Sequence, residues 1–156
     1  MAKALVYLTT HLSAVALGFA LGVYLLPIIA APPAPSTAQV QTHRDAAMFS
    51  AQFTRDLRGS DTLHWGEGTV FITRDKIALD GSLAPGPAYV LYLSPEFVED
   101  EASFAKHKDK MIAVADIKTF ENFLVDVPHD IDVTQYSSVV VWCEAFSEFI
   151  TAARFR

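Results

Sequence analysis

The sequence has little cysteine, and its first 31 residues have almost no charge. Cys143 is the single cysteine, so the chain cannot form an intramolecular disulfide. Lys3 is the one charged side chain among residues 1–31, whereas all 18 acidic residues and eleven of the 12 basic residues follow. Because an acidic domain lacks the basic surface that binds phosphate backbones, we expect no nucleic-acid partner.

The sequence also lacks the motifs of common catalytic sites. It has no nucleophile elbow, no P-loop and no dinucleotide fingerprint, since Gly66-Glu67-Gly68 has only two glycines and precedes a predicted strand. None of the histidines belongs to a known metal-ligand spacing with another His or Cys. The sequence therefore predicts neither a conventional enzyme nor a resident metal ion.

Residues 4–31 form a long apolar run, ALVYLTTHLSAVALGFALGVYLLPIIAA. A membrane-spanning helix needs about 20 such residues, because each adds 1.5 Å across a hydrocarbon core of about 30 Å. A cleaved signal peptide has a shorter apolar region, and Pro32 and Pro33 would hinder cleavage after Ala31. We therefore predict an uncleaved transmembrane anchor over residues 1–31. Lys3 favours a cytoplasmic start, which places the rest of the chain outside the cytoplasm, in the periplasm if the source is bacterial.

Residues 32–43 are predicted to form a linker, and residues 44–156 a single domain. Three prolines within residues 32–35 block helix continuation and favour an extended, semi-rigid spacer up to about Thr42. The segment Asp45–Leu57 is compatible with a short helix or an irregular lead-in.

From residue 68 onward, short apolar runs alternate with turn residues, which is typical of β structure. We predict turns at Arg74-Asp75, Asp80-Gly81 and Pro85-Gly86-Pro87. A helix is predicted to start at Ser94-Pro95-Glu96 and to run to Lys110. Strands are predicted in residues 68–79 (two strands), 88–93, 111–115, 122–127, 139–144 and 146–155. This pattern predicts a mainly β fold, a compact β-sandwich or barrel-like domain with a short helical insertion.

Cys143 ends the most apolar predicted strand, Ser138–Cys143. In an oxidising compartment an exposed thiol pairs or oxidises, so a lone cysteine is buried and inert, paired with another chain, or holding a ligand. Cysteine is among the most frequently buried residue types, and the adjacent Glu144 disfavours a thiolate. The core interpretation and the redox interpretation both stay open.

His64 and Trp142 are the candidates to share a site with Cys143. His64 lies in an aromatic, glycine-containing segment, residues 63–68, that could border a pocket. A His–Cys pair could ligate haem iron or another metal. The alternatives are a hydrogen-bonded structural histidine and a tryptophan that packs in the core.

Three segments of the sequence resemble the DM-13 domain family. Gly86–Ser94 (GPAYVLYLS) is similar to the family's G-P-D-x-x-x-Y-L-S, and Phe120–Pro128 is similar to its Q-N-Y…P strand. Tyr136–Phe146 (YSSVVVWCEAF) matches its Y-x-x-V-x-V-W-C-x-x-F signature. The resemblance covers roughly residues 57–156 and implies a compact β fold, a position outside the cytoplasm, and electron transfer with Cys143 as a thiol or a haem ligand. Ala88 stands where the family pattern has aspartate, so a site that needed this carboxylate would be absent here.

Two functional hypotheses follow. The first is a membrane-anchored, extracytoplasmic redox or electron-transfer accessory centred on Cys143, with His64 and Trp142 as candidate neighbours and haem as the cofactor considered. The second is a non-catalytic anchored module that binds an envelope protein or ligand, with Cys143 only a core residue. In both, the chain contacts the membrane through its N-terminal helix.

Overall fold

The computed structural model describes residues 2–156, which form one long helix followed by two β-sheets and two short helices. The elements in chain order are α1 (Ala2–Ala30), α2 (Thr37–Arg44), β1 (Phe49–Phe53), β2 (Gly66–Ile72), β3 (Lys76–Leu83), β4 (Tyr89–Ser94), α3 (Glu101–His107), β5 (Ile112–Ile117), β6 (Glu121–Asp126), β7 (Ser138–Cys143) and β8 (Glu148–Arg154), with 3-10 turns at Lys108–Lys110 and Val133–Gln135.

The eight strands form two antiparallel sheets of four strands each. Sheet A has the order β1-β2-β3-β6, and sheet B has the order β5-β4-β7-β8. At the two edges of the sandwich, β1 lies beside β8 and β5 lies beside β6, so each edge strand is flanked by the other sheet. The prediction of a mainly β, sandwich or barrel-like domain with a helical insertion is confirmed.

Strand β7 is buried on both of its faces, which explains its unbroken apolar sequence. Val139, Val141 and Cys143 point into the core between the sheets, and Val140 and Trp142 point to the outer face of sheet B. This alternation follows from the pleat of a β-strand, which directs successive side chains to opposite faces.

Helix α3 covers the outer face of sheet B, with Phe104 buried against Trp142. The predicted start of this helix at Ser94 is wrong. Ser94 ends β4, and the helix begins after Asp100, whose carboxylate accepts a hydrogen bond from the Ser103 N–H at 2.7 Å. A reciprocal bond from the Asp100 N–H to the Ser103 hydroxyl completes a capping box. This pair of bonds stabilises the first turn of α3 at Asp100, so the helix starts there and not at Ser94-Pro95.

Helix α2 covers the outer face of sheet A and occupies part of the segment predicted to be an extended spacer. Ser36 caps it, and the Ser36 N–H in turn donates to Gln39 at 2.8 Å. Val40 is fully buried against Phe71 and Ala78. Only residues 31–36 therefore separate α1 from α2, and residues 45–48 connect α2 to β1.

Two further local predictions differ from the structure. The segment Asp45–Leu57 contains strand β1, whose alternate residues Ala51 and Phe53 join the core. Asp80-Gly81 is not a turn but lies within β3, whereas Arg74-Asp75 does form the turn between β2 and β3. Gly68, with φ of 120°, lies opposite Gly81, where a Cβ atom would sit 2.1 Å from the Glu67 carbonyl oxygen. The two glycines allow β2 and β3 to approach closely, which a turn interpretation of Asp80-Gly81 overlooks.

Helix α1 has 29 residues and a high mean hydropathy, and none of its side chains is buried. Its length and composition are sufficient to cross a membrane, although a signal sequence has the same properties.

Candidate functional site

Cys143 lies where three connections between strands meet at one end of the sandwich. Tyr89, the first residue of β4, is paired in register with Cys143 on one side and with Ile117 on the other. The connections 84–88, 118–120 and 144–147 therefore share this end of the molecule, which we call the loop end.

The Cys143 side chain is buried beneath the loop end, with 3% of its surface exposed. Its thiol donates a hydrogen bond to the Pro87 carbonyl oxygen at 3.1 Å. Cys143 belongs to the core between the sheets, and the Pro87 carbonyl to which the sulfur is bonded lies in the connection 84–88.

The surroundings of Cys143 favour the neutral thiol. Burial raises its pKa because it penalises the charged thiolate. The backbone N–H groups of Phe146 and Ala145 act in the opposite direction, and the Glu148 and Glu144 carboxylates raise the pKa further. The thiol is protonated at neutral pH in this conformation, because burial outweighs the two N–H groups that favour a thiolate.

Trp142 does not share a site with Cys143, because the two side chains lie on opposite faces of β7. The indole stacks in parallel on the Phe104 ring, with 3.8 Å between centroids. Its buried Nε1 has no hydrogen-bond partner within residues 2–156. The stack makes Trp142 part of the contact between α3 and sheet B.

His64 lies in the segment before β2, and its Nδ1 is 3.1 Å from the Asp61 carboxylate. The structure shows no hydrogen bond or ion pair between His64 and Cys143. Within residues 2–156, no three His, Cys, Asp or Glu side chains are grouped closely enough to hold a metal ion. With its sulfur directed to the Pro87 carbonyl, Cys143 is not arranged as a haem ligand in this conformation.

Tyr89 is the neighbour of Cys143 that sequence reasoning did not single out. Its side chain is 3% exposed and packs edge-to-face on Phe120, with 6.0 Å between ring centroids. The hydroxyl lies against Gly86, where a Cβ atom would be 2.3 Å from it, and has no hydrogen-bond partner within residues 2–156. Burial raises the pKa of Tyr89, so the hydroxyl is a proton donor across the physiological range. Only the pairing register reveals this neighbour, since 54 positions separate Tyr89 from Cys143 along the chain.

Ala88 is exposed, with φ of 51°. Its carbonyl accepts a hydrogen bond from the Glu144 N–H at 3.0 Å. This bond joins the connection that covers Cys143 to the turn between β7 and β8.

A groove of about 920 Å³ separates the loop end from the C-terminal half of α1. The helix contributes mainly apolar side chains, among them Phe19, Val23 and Leu26. The residues of the loop end that line it include Pro87, Ala88, Tyr89, Phe120 and Phe146. The groove therefore opens directly above the connection that shields the thiol.

A family model described as "Electron transfer DM13" matches residues 39–155. No curated protein and no solved structure gives a significant match. The matched range contains both sheets, α3, Cys143 and most of α2, and it leaves α1 outside. Because the match covers well over half of the chain and agrees with the three resembling segments, the chain belongs to the DM13 electron-transfer family.

Proposed function

We propose that this protein is a membrane-anchored, extracytoplasmic electron-transfer domain whose redox group is the Cys143 thiol. The observation that carries the proposal is the single hydrogen bond from this thiol to the Pro87 carbonyl at the loop end. One short connection, residues 84–88, covers the sulfur, so a local movement would expose it without unfolding the sheets. The family's description as an electron-transfer domain supports the same role.

The chemistry of a lone thiol requires a partner. With the connection displaced, the N–H groups of Ala145 and Phe146 would stabilise a thiolate. The thiolate would attack one sulfur of a partner's disulfide, forming a mixed disulfide and releasing the other sulfur as a thiolate. One external thiol would then attack the Cys143 sulfur of the mixed disulfide and release the partner's second sulfur as a thiol, and a second external thiol would free Cys143 by forming a disulfide with the first. The two external thiols thus supply the two electrons that reduce the partner's disulfide, and Cys143 returns to its reduced state. The resolving thiols come from outside, because the chain has no other cysteine.

The proposed location rests on α1 and the segment after it. The helix is long and apolar enough to stay in a membrane, and prolines at positions 32 and 33 disfavour cleavage after Ala31. With Lys3 on the cytoplasmic side, this anchor would hold the sandwich in an oxidising compartment, where disulfide-bearing partners occur.

A second candidate function is a non-catalytic binding module in which Cys143 is only a core residue. The 3% exposure and the raised pKa of the thiol favour this alternative. The two functions differ in whether the thiol reacts in the folded protein.

A thiol-accessibility measurement separates them, and the single cysteine makes every label report on Cys143. The full chain in detergent micelles is treated with a maleimide, and the labelling rate is compared with the rate of global unfolding. The redox proposal expects labelling through local opening, faster than unfolding, and several-fold faster still in Pro87→Gly. Pro128→Gly, in the connection between β6 and β7, is the matched control and should label like the unsubstituted protein. Labelling that occurs only at the rate of global unfolding in all three proteins would support the inert core thiol.

A further inference from the structure

We propose that the groove between α1 and the loop end binds a membrane-soluble quinone. This inference rests on the proposed function, since it assumes that the domain is anchored and transfers electrons. It adds a ligand class and a binding site to that function.

The groove lies at the level where a bilayer would end. Helix α1 has 29 residues and so measures about 44 Å, whereas the hydrocarbon core is about 30 Å thick. The helix residues that line the groove run from Phe19 to Ala30, in the half of α1 next to the sandwich. A ligand dissolved in the outer leaflet would reach the groove sideways, without crossing water.

The connection between α1 and the sandwich keeps the groove in place. Only residues 31–36 lie between α1 and α2, and three of them are prolines. The Asn122 side chain donates a hydrogen bond to the Pro35 carbonyl at 3.1 Å, and Val40 is buried on sheet A. This attachment holds the loop end beside the helix, around a volume that suits a small-molecule site.

The lining of the groove favours a quinone over a lipid acyl chain. Its walls are mainly apolar, with Asp116, Lys118 and Glu144 as the charged residues of the lining, and Phe146 is 48% exposed at its margin. The Tyr89 side chain is 3% exposed, and its hydroxyl reaches the same space without a hydrogen bond to another group within residues 2–156. A quinone ring carries carbonyl oxygens that can accept this hydrogen bond inside the groove, whereas the hydrocarbon part of an acyl chain has no acceptor and the ester carbonyls of a phospholipid stay beside its headgroup.

The groove is also adjacent to the proposed redox group. Tyr89 and Cys143 are register partners on neighbouring strands, and both side chains belong to the core between the sheets. A quinone carbonyl bonded to Tyr89 would therefore lie about one side chain away from the thiol.

Photolabelling of the full chain in phosphatidylcholine nanodiscs tests this inference. The probe is an azidoquinone with a short alkyl tail, and the labelled peptides are identified by mass spectrometry. We expect saturable labelling of residues 84–89 and 144–147 that excess decylubiquinone suppresses. Ala88→Asp places a hydrated carboxylate at the exposed mouth of the groove and should reduce this labelling several-fold, because an apolar ring would have to displace the water that this charge holds. Ala102→Asp, at an exposed position in the first turn of α3, is the matched control and should label normally.

Several outcomes would overturn the inference. Labelling confined to α1 would show that the quinone only dissolves in the bilayer beside the protein. Labelling of the loop end by a photoreactive phosphatidylcholine that decylubiquinone does not displace would assign the groove to lipid. Equal labelling of Ala88→Asp and Ala102→Asp, with both variants folded by tryptophan emission, would also contradict it.

Tyr89→Phe and Cys143→Ser separate this inference from the proposed function. Tyr89→Phe should weaken saturable labelling several-fold, because it removes the donor and little else. Cys143→Ser should label normally, since the thiol is not part of the groove wall. If the thiol is locally accessible but no quinone binds, the proposed quinone site is wrong and the redox role of Cys143 stands. If quinone binds but the thiol is inaccessible, the redox role of Cys143 is wrong and the quinone site stands.

Discussion

At the scale of single residues, the backbone at Ala88 gives a conformational reason for the residue that the family pattern has there. Ala88 has φ of 51°, in the left-handed region where aspartate and asparagine are tolerated better than alanine. An aspartate at this exposed position would relieve strain even if its carboxylate had no chemical role. The departure from the family pattern is therefore compatible with an intact site.

The strain at Ala88 leads to a stability prediction. Ala88→Gly should raise the free energy of unfolding by about 0.5–1 kcal/mol, since glycine adopts this conformation without steric cost and the exposed methyl group contributes little packing. Urea unfolding of the full chain in micelles, followed by the emission of Trp65 and Trp142, measures the change. Ala102→Gly, in the regular first turn of α3, should instead lower it by about 1 kcal/mol. A decrease for both variants would show that Ala88 is not strained.

Trp142 and Cys143 are adjacent in the sequence, but their side chains lie in different parts of the structure. Their neighbouring positions suggested one shared site. The β-strand places Cys143 in the core between the sheets and Trp142 under α3. The partner of Cys143 is instead Tyr89, on the next strand.

At the scale of secondary-structure elements, the two short helices determine how the outer faces of the sandwich are covered. Asp100 caps α3 and also lies 2.9 Å from the Arg58 guanidinium. The hydrogen bonds from Ser103 hold the Asp100 pKa below its usual range, and the Arg58 charge acts in the same direction.

The cap predicts an acid-dependent loss of stability. The folded pKa of Asp100 is below its unfolded value, so its contribution is fully present above the unfolded pKa and is lost as the pH falls through the folded pKa. Asp100→Asn keeps a capping oxygen but cannot titrate, and it should therefore lose less stability than the unsubstituted protein between about pH 5 and about pH 2. Asp100→Ala should be less stable by about 1 kcal/mol at neutral pH. Unfolding midpoints across this pH range measure both effects, and parallel curves for Asp100→Asn and the unsubstituted protein would contradict the assignment.

Helix α2 predicts a second effect that an extended linker would not show. Val40→Ala removes two fully buried methyl groups facing Phe71 and Ala78 and should lower the free energy of unfolding by about 1–3 kcal/mol. Thr42→Ala, on the exposed side of the same helix, should change it by less than about 0.5 kcal/mol. Equal small effects from both substitutions would mean that residues 37–44 do not pack on the sandwich in solution.

At the scale of the whole molecule, the prediction concerns the anchor. Because Pro32 and Pro33 disfavour cleavage and α1 is long enough to span a bilayer, we expect the chain at full length in the membrane fraction. Protease added to the outer side of the membrane should digest the sandwich. A shortened chain in the soluble fraction would identify α1 as a signal peptide, and a sandwich protected until the membrane is broken would place it on the cytoplasmic side.

The features of this protein that depend on local pattern could be predicted from its sequence. The apolar residues 4–31 specify a long apolar helix, and alternating or continuous apolar runs specify strands β2 to β8, because side-chain periodicity and turn residues act within a few positions. Local pattern was insufficient for the residues preceding β2. Helix α2 is mostly polar, and Val40 is its one buried residue. Strand β1 has only five residues. The formation of both elements therefore depends on the sheet that α2 covers and β1 extends.

The surroundings of the candidate site depend on how distant parts of the chain pack together. Strand pairing placed Tyr89 beside Cys143, the connection 84–88 covered the thiol, and the face of β7 separated Trp142 from it. His64 bonds to Asp61 in its own segment. The contacts of Cys143 with Tyr89 and Pro87 join residues far apart in the chain. The register between strands is set by packing of the whole core, which no local run of sequence contains.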